Sequence, residues 1–174
     1  VYFLNGQGDL LWSFESGDDV WSARDVAITQ DGSRVMVGSM LGRVFLLDAE
    51  GHVLWSHYAG FLFGAGAMTP DGSRIVVGES GGPANTIRFL DGHGDRLWSF
   101  ETGGWVVAVA VTPDGSRVAA GSFDGKVYLL TGEGDLLWSF QTGDTVRAVA
   151  ITADGSRVLA GSEDRNVYLL DGGN

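Results

Sequence analysis

Between Trp105 and Phe140 the chain alternates short apolar runs with glycine-centred polar turns. The runs are WVVAVAVT, SRVAAGS, KVYLLT and DLLWSF, separated by Asp114-Gly115, Asp124-Gly125 and Gly132-Glu133-Gly134. Each is too short for an ordinary helix, and the first is β-branched with turn signals on each side, which predicts four strands. The Asp-Gly and Gly-x-Gly pairs supply the positive φ that tight hairpins need, so the strands form an antiparallel meander. VVAVAV is apolar on both faces, so neighbours are expected to cover both faces of the sheet.

The pattern repeats along the chain. DGSR begins at Asp31, Asp71, Asp114 and Asp154, at spacings of 40, 43 and 40 residues. Leu-Trp-Ser places Trp12, Trp55, Trp98 and Trp138 in one register. Four-stranded sheets at a fixed period, stacked face to face, predict an all-β propeller. It forms a single repeat domain over residues 1–174, with repeats near 23–57, 64–100, 106–140 and 146–171. A β-sandwich is the alternative, but it does not account for so regular a period. The 28 glycines beside only 3 prolines then mark hairpins, not a disordered linker.

VAVTPDGSRVAAGSFDGKVYLL resembles the first three strands of a WD-repeat blade. That family closes its third strand with Trp-Asp; here Leu47-Asp48, Leu90-Asp91, Leu130-Thr131 and Leu170-Asp171 stand instead, and the opening Gly-His pair is missing. The other half of each repeat looks more like the tryptophan-docking motif of quinoprotein propellers, Asp-x-x-Gly-x-x-x-Trp. Asp48 to Trp55 and Asp91 to Trp98 match it, and Asn5 to Trp12 and Thr131 to Trp138 match with the first position altered. The resemblance to PQQ-like repeats covers nearly the whole chain and is specific for fold, not for activity.

VYFLNG at Val1 duplicates VYLLDG at Val167, so the third strand occurs five times and each of the others four times. Rings of the resembling families have about seven or eight blades. Four copies therefore imply a section of a longer array, or a half-ring that pairs as a homodimer. The alternative is a small closed ring in which residues 9–14 supply the closing strand and a third strand is left over. An open end exposes a strand edge and an apolar blade face, which favours association.

Charge and chemistry narrow the functions. The net charge is −11, with a single lysine, Lys126, and this acidic surface repels phosphate backbones and anionic membranes. No apolar run reaches the length of a membrane span. Cysteine is absent, which removes thiolate chemistry and cysteine-ligated zinc. His52, His57 and His93 share no metal-ligand spacing. The Asp-Gly turns lack the alternating acidic pattern of calcium loops, no serine stands in a nucleophile elbow, and no Walker loop is present.

What varies between the copies points to one face. The turns joining strands one to two and three to four barely change, whereas the opposite set varies. Glu15 to Ser22 and Glu79 to Thr86 are each three residues longer than their counterparts. Variable loops on a constant scaffold are where function usually sits. Near that face stand Trp21, Arg24, Phe61, Phe63, Trp105 and Arg147, residue types that anchor interfaces. The competing role for Phe63 and Trp105 is to plug the space between blades. The repeated tryptophans are expected to pack between blades.

These features favour a non-catalytic propeller that presents a face to a protein or other macromolecule, with no cofactor, metal or catalytic residue. The quinoprotein resemblance implies the alternative, a dehydrogenase fragment holding PQQ and calcium on the ring axis. Such enzymes carry an adjacent cysteine pair, an aspartate base and a carboxylate/amide calcium site, which the axis-proximal strands here do not offer. An engineered propeller without a native partner is a further alternative.

Overall fold

The structure is a computed structural model that describes residues 1–15, 23–58, 62–81 and 85–173. Every regular element in it is a strand. β1 (Tyr2–Leu4) and β2 (Leu10–Ser13) form a two-stranded sheet. Three antiparallel four-stranded sheets follow. They are β3 to β6 (Ala23–Ile28, Arg34–Ser39, Arg43–Asp48, Val53–Tyr58), β7 to β10 (Leu62–Met68, Arg74–Ser80, Asn85–Asp91, Arg96–Thr102) and β11 to β14 (Val106–Val111, Arg117–Ser122, Lys126–Thr131, Leu136–Gln141). The last sheet, β15 to β17 (Val146–Ile151, Arg157–Ser162, Val167–Asp171), has three strands.

Two local devices set the hairpins. In the DGSR turn, Thr112 donates its hydroxyl to Asp114 Oδ1 at 2.6 Å, and the same oxygen accepts the Ser116 amide at 3.0 Å. Thr112 Oγ1 accepts the Arg117 amide at 3.0 Å, and Gly115 turns the chain at φ 71°. In the hairpin between strands three and four, Asp91 Oδ1 accepts the amides of His93 and Asp95 at 2.8 and 3.0 Å. Asn5 Oδ1 and Thr131 Oγ1 accept the matching amides, so the altered first positions keep the acceptor that the turn requires.

Sheets stack through apolar faces. One face of β3–β6 packs Val35, Val37, Phe45 and Leu47 against Val1, Phe3, Trp12 and Phe14. Its other face, with Met36, Val44 and Leu46, meets Phe63, Ile75 and Leu90 of the next sheet. The same relation joins β7–β10 to β11–β14 and that sheet to β15–β17. First strands lie side by side, β3 by β7, β7 by β11 and β11 by β15. The approach is close: a Cβ on Gly121 would lie 2.7 Å from Val146 Cγ1, so the glycine one residue before the end of the second strand is required by the neighbouring sheet.

Two kinds of bond recur across these junctions. Trp12, Trp55 and Trp98 donate Nε1–H to the carbonyls of Ala49, Gly92 and Gly132, at 2.7, 3.2 and 2.8 Å. Arg34 and Arg117 donate to carbonyls of the next sheet, at Gly72 and Gly155, both 3.3 Å away. The repeated tryptophans pack between blades as their register predicts.

The stack is an open partial propeller. Leu10–Ser13 pairs with β1, with Phe3 opposite Trp12, and not with the last sheet, so residues 9–14 do not act as the closing strand. The physical reason is local: β1 and β2 are joined by a tight hairpin, which holds them together at little entropic cost. Among the described residues, β17 has a ladder partner only on its inner side, β16. No helix of the structure is long and apolar enough to cross a membrane.

Candidate interaction face

The links that lead into each first strand and the turns between strands two and three share one end of the stack. At this end Trp105, just ahead of β11, stacks on Phe123 with ring centroids 5.3 Å apart and planes 27° apart. The Phe123 amide donates to the Trp105 carbonyl at 2.9 Å, which fixes the two residues as neighbours. Arg147, on β15 of the next sheet, lays its guanidinium 4.6 Å over the Phe123 ring. Its Nε donates to Glu163 Oε1 at 2.9 Å. Trp105 remains 42% exposed and Phe123 38%. The result is a solvent-facing aromatic and charged cluster that bridges two sheets.

The six residues singled out by sequence fare differently. Trp105 and Arg147 are brought together as above. Arg24 occupies the place on β3 that Arg147 occupies on β15 and is exposed. Phe63 is a correction, because it is wholly buried between Gly38, Gly66 and Met36 and belongs to the core. Two glycines and a flexible thioether leave a cavity there that only a large ring fills. Trp21 and Phe61 lie outside the described residues, as do residues 16–22 and 82–84 of the two long loops.

Phe123 and Glu163 were missed. Both follow the serine that ends a second strand, at the first position of the turn, which differs between repeats: Met40, Phe123 and Glu163. That variation was the available signal. It was overlooked because the turn keeps a constant length there.

A second polar group departs from the repeat. Asp124 accepts from the Tyr128 hydroxyl and from the Gly103 amide, and Asp164 does the same for Tyr168 and Gly143. Burial, then the bond to Asp124, pushes the Tyr128 hydroxyl up to about 12. In β9 the tyrosine position holds Arg88 instead. Its Nε lies 2.7 Å from Glu79 Oε1, and Nη1 lies 3.2 Å from His57 Nε2 of the preceding sheet. Thr86 donates to the other Glu79 oxygen at 2.6 Å. Burial raises the Glu79 carboxyl above its ordinary value despite these partners. Burial also lowers the His57 imidazole, with Arg88 and Arg96 adding to the effect. With its charges mutually engaged, this cluster staples one sheet to the next.

Asp48, Glu50 and His52 also draw close in one hairpin. There Asp48 Oδ1 is already spent on the Glu50 and His52 amides, and Oδ2 lies 3.1 Å from His52 Nδ1. These bonds account for the grouping as a turn.

The repeat geometry agrees with the comparison to known families. A family model, PQQ_2, described as outer membrane protein assembly factor BamB, matches residues 1–170. The chain belongs to the PQQ_2 family. No curated protein matches it. The PQQ_2 match spans the tryptophan hairpins and the DGSR turns alike, which are the parts that build the stack. Membership therefore accounts for the scaffold, while the Trp105–Phe123–Arg147–Glu163 cluster belongs to positions at which this chain's own repeats differ.

Proposed function

We propose that this PQQ_2 protein is a non-catalytic propeller that engages another protein through the face centred on Trp105, Phe123, Arg147 and Glu163. One observation carries the reading: two stacked aromatic rings stay in solvent with an arginine laid across them. The scaffold does not need them there, since the equivalent places in the next repeat hold Thr145 and Glu163. Exposed aromatic and Arg anchors of this kind dominate protein interfaces. The family description, an assembly factor, is of the same kind of role. The acidic balance suits a partner surface with basic residues around an apolar pocket.

Selection of binders from a random peptide display library against the folded chain provides the test, followed by titration against variants. Peptides that lose about tenfold or more on Trp105→Ala or Arg147→Glu support the reading. Peptides that all bind both variants unchanged overturn it. A parallel incubation with PQQ and calcium tests the enzyme alternative. Quinone absorbance retained after desalting would replace the proposed role.

A further inference from the structure

Given that reading of the face, we infer that the group it recognises is an arginine side chain of a basic partner segment, laid on Trp105 with Glu101 and Asp144 as its counter-charges. The cluster already holds one guanidinium in this manner. Arg147 sits 4.6 Å over the Phe123 ring while its Nε donates to Glu163 Oε1 at 2.9 Å. A planar cation meets a ring with its face and a carboxylate with its edge at the same time, whereas a compact ammonium has no such division. Trp105 offers a second ring of this kind, and indole is the best aromatic face for a cation.

The indole is open and held in place. Trp105 spends one ring face on Phe123, at 5.3 Å between centroids, and is still 42% exposed. Gly103 and Gly104 precede it, so the link that carries it has no side chain there to lay over the ring. The corresponding link of the next sheet reads Gly143-Asp144-Thr145, and its threonine is buried. The Trp105 link also runs tight against the turn that carries Phe123. A Cβ on Gly103 would lie 2.7 Å from Asp124 Oδ2, and one on Gly104 would lie 2.6 Å from the Asp124 nitrogen. The Gly103 amide donates to the same Asp124 oxygen at 3.0 Å. Link and turn thus brace each other, which spares a complex the cost of ordering them on binding.

The surrounding charge selects a cation. Glu101, near the end of β10, is exposed, and so is Asp144 in the next link. That link is tied to the Phe123 turn: the Thr142 hydroxyl donates to the Gly125 carbonyl at 2.7 Å, and the Asp144 carbonyl oxygen would lie 3.2 Å from a Cβ on Gly125. Among the described residues neither Glu101 nor Asp144 enters a salt bridge, whereas Arg147 is matched by Glu163. In the links and turns of these two sheets Glu101, Asp124, Asp144, Glu163 and Asp164 outnumber Lys126, Arg147 and Arg165. An acidic segment is repelled by this balance, and an apolar side chain would cover the indole but leave the carboxylates unanswered. The net charge of −11 draws basic segments toward the same surface.

Nuclear magnetic resonance titration of the folded chain decides the matter, with the Trp105 indole N–H as reporter, identified by its loss in Trp105→Phe. The probes are glycine–serine peptides that differ only at two adjacent central residues, which are arginine, its neutral isostere citrulline, or leucine. The expected result is a saturable shift of the Trp105 signal by the arginine peptide, with binding at least about fivefold weaker for the other two. Glu101→Gln combined with Asp144→Asn should weaken the arginine peptide about threefold and flatten its salt dependence, while leaving the citrulline peptide unchanged. A Trp105 signal that stays still, or that responds as strongly to citrulline or leucine, overturns the inference. Library peptides that lose affinity on Trp105→Ala yet tolerate citrulline in place of arginine would keep the face and remove arginine as its ligand. Library peptides indifferent to Trp105→Ala, together with a silent indole signal, would remove both. If the doubly substituted variant fails to fold, the arginine–citrulline comparison on the unaltered chain still decides.

Discussion

Phe63 and Trp105 both precede a run of small and β-branched residues, and they end in opposite environments. Phe63 is wholly buried against Gly38 and Gly66, whereas Trp105 lies on Phe123 in solvent. Phe63→Ala should cost about 3–5 kcal/mol, because the glycine-lined space cannot collapse around the missing ring. Trp105→Ala should cost under about 1 kcal/mol, the scale of one exposed aromatic pair. Urea unfolding of both variants checks the contrast. Equal costs would contradict the assignment of one to the core and the other to the face. Gly121→Ala is expected to lower the unfolding midpoint by about 1–3 kcal/mol of stability, since Val146 and its carbonyl must move to admit a Cβ. Residue identity was legible in the sequence, but the side of the sheet on which a first-strand aromatic falls was not. The bulge at Phe63/Ala65, with Gly64 as the extra residue, sets Phe63 opposite Glu79 in the register of the buried Val106 and Val146.

At the scale of elements, the DGSR hairpins set the response to acid. Asp71, Asp114 and Asp154 are lowered to about 2, chiefly by the threonine hydroxyl two residues earlier and then by the serine amide; Asp31 is lowered alike, with the Ser33 amide first. Asp164 falls to about 2 through the Tyr168 hydroxyl. In the unfolded chain these groups titrate near 3.9, as ordinary aspartates do. Below that value the unfolded state takes up protons that the folded state refuses. The hairpins therefore contribute stability that is fully present above about pH 4 and is lost as pH falls toward 2. Glu79 runs the other way: burial raises its carboxyl, so its contribution weakens as pH rises through its folded value. One such group is outweighed by several lowered aspartates. The thermal midpoint should hold between pH 7 and about 5 and fall steeply below about 4, with a shallower fall in Asp114→Asn. A midpoint that rises on acidification would contradict this account. These turns were readable in advance because each bond spans two to five residues and needs only local sequence.

At the scale of the molecule, 22 acidic and 11 basic residues leave a net charge of −11. Among the described residues, arginine pairs with a carboxylate at only two places, Arg88–Glu79 and Arg147–Glu163. Most of the acidic charge is thus unopposed at close range, and self-repulsion works against the compact state. Raising sodium chloride from about 0.05 to 0.5 M shortens the Debye length to a few ångströms and should raise the thermal midpoint. A lower midpoint in high salt would mean that ion pairs outweigh repulsion.

The sequence alone determined the strands, their hairpins, the forty-residue unit and its stacking. Each of these rests on short-range rules: φ at glycine, side-chain acceptors in turns, and apolar runs that need cover on both faces. It also determined that one third strand is in surplus. Only the tertiary structure decided that β2 stays with β1 and leaves β17 open, because two near-identical strands compete for one partner and chain proximity chooses between them. It alone decided that Phe123 and Glu163 join Trp105 and Arg147, since the four come from two sheets and from turns 16 and more residues away. A contact of that kind is made by how sheets twist and stack, and no local stretch of sequence encodes it.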